Sequence, residues 1–143
     1  MKKIVIFIIS LVIIIISIIA VRIINYRAEQ AKIKKENLTY EVFLNKQILG
    51  TELTTFINKA VDNNEKSNVQ KDKQGFYIQN DINSIEVEIK ITDDDTLYKM
   101  ETLYNGGMVS FVEYYNSIYF ECTTIRYNKL GKVNYLLFEQ KSN

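Results

Sequence analysis

Residues 4–25 read IVIFIISLVIIIISIIAVRIIN, and the rest of the chain depends on where that segment goes. Between Ile4 and Val21 there is no charge, no Gly and no Pro. About 20 such residues match the ~30 Å hydrocarbon core of a bilayer at helical rise. The hydroxyls of Ser10 and Ser17 can bond back to carbonyls of their own helix. A cleavable secretory signal has a shorter apolar core, about 7–15 residues, closed by a small-x-small site. MKK supplies the basic start of such a signal, but Ala20 has Ile18 two places before it, so the cleavage geometry is missing. The reading is a retained transmembrane anchor over residues 1–24. Ile and Val are mediocre helix formers in water, but lipid leaves the backbone no other way to satisfy its hydrogen bonds. With no small-xxx-small seam and no intramembrane charge, the span reads as a tether and not a pore or relay.

Two cues to orientation conflict. Arg22, Arg27, Lys32, Lys34 and Lys35 follow the span while only Lys2 and Lys3 precede it, and a Lys/Arg count puts the carboxyl-terminal part inside. A very short basic start running directly into the apolar segment is instead the form of an uncleaved export signal. That form leaves the domain extracytoplasmic, which is the orientation expected here.

The chain has 143 residues, so what remains after the anchor fits one domain with an adequate core. Its net charge is +1, which gives no electrostatic footprint for nucleic acid. There is no His, which removes imidazole-activated nucleophiles and most zinc sites. Cys122 is the only cysteine, so the fold relies on packing and not on an intramolecular disulfide.

No Pro or Gly interrupts VRIINYRAEQAKIKKENL, so the helix is expected to continue as a stalk over residues 25–37. A single α+β domain is expected over 38–143, with a small antiparallel sheet and helices packed on one face. GTELTTFINKAVDNN predicts its clearest helix. Leu49, Leu53, Phe56, Ile57, Ala60 and Val61 form the apolar face, with Thr54, Asn58 and Asp62 opposite. Gly50 or Thr51 serves as N-cap, Glu52 sits in the first turn, and Asn63 and Asn64 act as stop residues. Phe76–Gln79 reads as an aromatic strand. SIEVEIKIT alternates Ile85, Val87, Ile89 and Ile91 against Glu86, Glu88 and Lys90, a strand with one wet face. TLYKMETLYNGG and MVSFVEYYNS predict two short helices broken at Gly106 and Gly107. IYFECTTIRYNKLGKVNYLLFEQ predicts a hairpin with Gly131 in the left-handed position of its turn.

The chemical inventory is sparse. Asp93, Asp94 and Asp95 are consecutive, without the spaced ligands, Gly and distal Glu of a calcium loop. They read as a solvated turn whose last acid caps the next helix. Glu101, Glu113 and Glu121 stand near aromatic residues, but nothing in the sequence brings two together as a glycosidase pair requires. Cys122 shares a strand face with Phe120 and reads as a small buried hydrophobe. No phosphate loop, dinucleotide fingerprint or metal-ligand spacing occurs, so neither cofactor nor metal is expected. Tyr114 and Tyr115 are adjacent on a helix, so one should face the core and the other solvent, and they are the candidate protein-contact residues.

An apolar amino-terminal helix leading into an antiparallel sheet resembles the layout of type IV pilin-like proteins. Those carry a Gly followed by an aromatic or Met, and a Glu, near the start of the apolar segment. MKKIVIFIIS has neither, so the likeness extends to layout and not to processing. The GTELTTFINKAVDNN helix is similar to one in small uncharacterised single-pass membrane proteins of low-GC Gram-positive bacteria, a likeness that implies no activity. Together these lead to a non-enzymatic domain at the cell surface, held by membrane lipid around its first helix. It would contact a protein partner, as in a secretion or pilus-like apparatus. The alternative is a membrane-tethered sensor that binds a small ligand. Leu53→Asp, which buries an unpaired charge, should destabilise the domain by more than ~3 kcal/mol. Loss of its cooperative thermal transition in circular dichroism checks this.

Overall fold

The computed structural model describes residues 2–141. Its first element, α1 (Lys2–Glu41), is one uninterrupted helix, long and apolar enough to cross a membrane and with none of its most apolar stretch buried. Ser10 and Ser17 donate to the carbonyls of Phe7 and Ile13, each at 2.8 Å, so even the hydroxyls are satisfied within the helix. The chain divides into two compact units, with the boundary between Glu36 and Asn37. The helix runs past the expected end at Asn37, and its last turn, 37–41, belongs to the second unit.

The second unit contains the remaining elements: β1 (Gln47–Leu49), α2 (Gly50–Lys66), β2 (Glu86–Lys90), β3 (Leu97–Lys99), α3 (Met100–Thr102), α4 (Met108–Tyr115), β4 (Tyr119–Tyr127) and β5 (Val133–Gln140). The strands form one sheet in the order β1-β4-β5-β2-β3. The architecture is the expected α+β, and the sheet is mixed. The pairs β1·β4, β4·β5 and β2·β3 are antiparallel, whereas β2 and β5 run parallel from Glu86↔Tyr135 to Lys90↔Glu139. After β3 folds back on β2, the segment 100–115 carries the chain across to β4. β5 then returns beside β2 in the same direction, as parallel neighbours require a crossover connection.

The register sorts side chains by face. Val87 opposes Leu136, Ile89 opposes Phe138, and Phe138 opposes Cys122, all buried. Glu86, Glu88 and Lys90 lie on the wet face with Tyr135, Leu137 and Glu139, as the alternation predicts. On α2, Leu53, Phe56, Ile57, Ala60 and Val61 are buried as expected. Thr54, expected to face solvent, is also buried, and its hydroxyl donates to the Thr51 carbonyl at 2.8 Å. The N-cap is Leu49 and neither Gly50 nor Thr51, the two expected, because β1 feeds directly into the helix. The Glu52 carboxylate accepts the Leu49 N–H at 3.0 Å.

Other local expectations are corrected. Asn64 does not end α2; the left-handed residue beyond the helix is Asn68, at φ 52°. Phe76–Gln79 joins no sheet and makes only an isolated bridge, Tyr77 to Lys71, because Asp72 draws the N–H groups of Gln74 and Phe76 into a local turn. Asp93–Asp95 turn β2 into β3, with Ile91 N–H donating to the Thr96 carbonyl at 2.8 Å. Asp95 therefore caps no helix; it has φ 55° and pairs with Lys90 at 3.0 Å. The Gly131 turn forms as predicted, at φ 76°.

Two asparagine side chains, Asn37 on α1 and Asn64 on α2, tie helices of this unit to the backbone beside the sheet strands. Asn64 donates to the Ile85 carbonyl and accepts the Ile85 N–H, both at 2.8 Å and fully buried. Asn37 donates to the Gly131 carbonyl at 2.7 Å and accepts the Val133 N–H at 2.9 Å. Each amide imitates a neighbouring strand. Asn64→Leu keeps the bulk but leaves two buried backbone groups unpaired, and should cost ~2–4 kcal/mol of stability. The thermal midpoint of the full chain in detergent, read by circular dichroism against wild type, checks this.

Candidate functional site

Chain-breaking residues build the most suggestive surface of the folded unit. Between α3 and α4 the backbone widens into a π-type turn over Leu103–Gly107, and Gly106 steps out of helical geometry there. Such turns relax the helical ladder and re-aim the next helix. The approach at Gly107 is close. A Cβ on it would stand 3.2 Å from the Thr102 carbonyl oxygen and 3.3 Å from Leu103 Cδ2.

The redirected α4 packs through Phe111, whose ring lies 5.0 Å from Tyr115 and 5.6 Å from Phe120. Tyr115 meets Phe120 edge-on at 6.1 Å. An open groove of about 420 Å3 runs beside this cluster, walled by Tyr98, Phe111, Tyr114 and Tyr115, with Thr102 and Ser110 as hydroxyl donors. Burial, then the charges of Tyr98, Asp94 and Asp93, push the Tyr115 phenol above its ordinary value, so it is a neutral hydrogen-bonding group.

The adjacent tyrosines behave as their helical spacing predicts. Tyr115 is half-buried in the cluster, while Tyr114 is 76% exposed, with Val109 72% exposed on the same short helix. Tyr98 joins them from β3, a contribution sequence reasoning missed by reading Leu97–Lys99 as the start of a helix. The signal available was its placement directly after an alternating strand and a tight acidic turn. The cluster is fixed to α2 by Gly50. Its N–H donates to Ile118 at 3.0 Å, and a Cβ there would collide with the Tyr115 carbonyl, 2.8 Å from its carbon.

The candidate carboxylates are dispersed. Glu101 is buried on α3 and accepts the Tyr77 N–H at 3.0 Å; Glu113 is exposed on α4; Glu121 on β4 pairs with Lys141 at 2.8 Å. Cys122 is fully buried, and desolvation pushes its thiol up to about 11, which keeps it protonated and poorly nucleophilic at neutral pH. On the wet sheet face the polar groups are paired among themselves. Tyr135 donates to Glu88 at 2.7 Å, the Arg126 guanidinium lies 3.5 Å from the centre of its ring, and Lys99 pairs with Glu86 at 3.3 Å. Among the described residues, no group of three or more acidic or cysteine side chains is placed to hold a metal ion.

No family model, no curated protein and no solved structure matches this chain. The groove itself therefore carries the functional reading. Gly50→Ala gains up to ~1 kcal/mol of helix propensity but forces the Tyr115 carbonyl away, and overpacking of this kind costs ~1–3 kcal/mol. A net loss of stability, together with a changed near-ultraviolet tyrosine spectrum from the displaced cluster, is expected from calorimetry and circular dichroism.

Proposed function

We propose that this protein is a membrane-tethered, non-enzymatic module that docks a protein partner at the groove bounded by Tyr98, Tyr114 and Tyr115. The exposure of Tyr114 on that aromatic groove, with Val109 exposed on the same helix, carries the reading. Tyrosine supplies large amphipathic contact area and is enriched at interfaces, whereas a Val and a Tyr held in water on one helix gain nothing from the isolated fold. The groove offers hydroxyls and ring faces in place of paired acids or an activated nucleophile, which suits recognition better than bond making.

α1 would remain in the membrane as a signal-anchor, with the folded unit on the extracytoplasmic side. The short basic start and the missing cleavage site support that topology. A partner of this kind belongs to a surface assembly, such as a secretion or pilus-like apparatus.

A photo-crosslinking residue at position 114 in intact cells should give a discrete adduct with one protein. The same residue at the exposed Lys73 should not. Equal labelling from both positions, or no protein adduct at 114, would argue against docking. Protease added to whole cells should remove a carboxyl-terminal tag; protection of the tag would place the domain inside.

A further inference from the structure

The turn after α1 and the first half of α2 form a second groove, of about 600 Å3, within the unit that begins at Asn37. Glu52, Thr55, Phe56 and Lys59 form one wall, at the i, i+3, i+4, i+7 spacing that places them on a single stripe of α2. Tyr40, Val42, Phe43 and Lys46 form the other. The volume is within the ~300–1,000 Å3 of small-ligand sites.

The floor is aromatic and anchored to the core. Phe56 meets Phe43 at 4.8 Å, Tyr40 at 5.9 Å and Phe138 at 5.1 Å, each edge to face. A floor held this way is preformed, and Val42 stands above it 58% exposed.

The charges on the rim are unbalanced. The Glu52 carboxylate is committed to the Leu49 N–H at the start of α2. Lys59 has no hydrogen bond or ion pair among the described residues, and the Lys46 ammonium has only the Phe43 ring, 5.8 Å away. Elsewhere in the unit, Lys71, Lys90, Lys99, Lys129 and Lys141 each sit in an ion pair with an Asp or Glu, while Lys66 and Lys73 are unpaired among the described residues but border no groove of this kind. A trough with an aromatic floor, whose rim carries two ammonium groups against one carboxylate, is net positive and complementary to an acyl chain that ends in an anion.

We propose that this groove binds an anionic membrane lipid. Its chain would lie on Tyr40, Phe43 and Phe56, and its headgroup would be held by Lys46 and Lys59. An uncharged chain would leave the ammonium groups without a counter-ion, and a free inorganic anion would leave the aromatic floor wet. A bilayer around the apolar helix would be the source of such a lipid, which must leave it to enter the groove. The site shares no residue with the tyrosine groove, so either proposal can fail alone.

The test uses the full chain in phosphatidylcholine nanodiscs, with a diazirine-tailed fatty acid as probe and the matched fatty alcohol as control. The acid should label residues within 39–59, and the alcohol should label them far less. Lys46→Gln with Lys59→Gln should lower that labelling about tenfold, the factor lost with charge-assisted contacts. Thr55→Trp, which fills the trough, should abolish it. Labelling of residues 4–21 should be unchanged in every case, as the internal reference for lipid access. Equal labelling by acid and alcohol, full labelling of the double variant, or labelling confined to 4–21 would overturn the proposal. So would crosslinks from Lys59 to a second copy or another protein that exclude the acid. Unchanged circular dichroism of the exposed-site variants keeps misfolding out of the comparison.

Discussion

A backbone N–H or C=O that leaves water must be given another partner, and that requirement shapes both units of this protein. In α1 the requirement is met locally. An unbroken helix pairs every interior group within itself, and a bilayer would admit no looser arrangement for a segment so apolar. Helix formation there owes little to the intrinsic preference of Ile and Val, which favour strands in water. In the second unit the requirement is met across long sequence separations. Asn64 and Asn37 supply amide surrogates for a strand at Ile85 and at the 131–133 turn, where no real strand reaches. Removing a partner leaves desolvated backbone behind, so these amides matter more to the fold than their modest net energy suggests.

That difference explains what could be read from the sequence. Local patterns carried α2, β2 and the β4–β5 hairpin, because each writes its own periodicity or turn chemistry: Leu53 to Val61 at helical spacing, Ile85 to Ile91 in alternation, Asn128 to Gly131 in a tight turn. β1 and β3 are only three residues long, too short for a period to emerge. They are strands because β4 and β2 present open edges to them. The parallel pairing of β2 with β5 is a property of the whole chain path and leaves no local mark. Asn64 reads as a helix stop by propensity, yet a buried carbonyl and N–H recruit it into the helix interior. The candidate contact pair was half legible. Adjacent Tyr114 and Tyr115 must diverge on any helix, but the third wall of their groove, Tyr98, comes from a strand that only tertiary pairing creates.

The charges of the second unit are distributed unevenly between its two faces. Acids and bases on the wet sheet face neutralise one another, and Tyr135 is held by Glu88 beneath the Arg126 guanidinium. The thiol is sequestered among Phe120 and Phe138 with its ionisation suppressed. Among the groups the fold leaves open are ring faces and hydroxyls along the π-type turn, and two ammonium groups beside an aromatic floor. Both troughs are open to solvent, whereas positioned charges gain most in catalysis where water is excluded.

Shallow recognition surfaces of this size would be weak on a freely diffusing protein. A stable interface between soluble partners buries roughly 1,200–2,000 Å2, far more than a trough beside one eight-residue helix supplies. Attachment to a bilayer changes the arithmetic. Confining a domain and its partner to one surface converts encounter from three dimensions to two, and linked sites reach effective concentrations on the order of millimolar. Contacts of a few kcal/mol then hold, and release as soon as the partner leaves the surface. On that view the greasy leading helix and the chemically quiet domain form one design. The helix would supply the local concentration at which a shallow contact through Tyr114 could hold without a deep pocket.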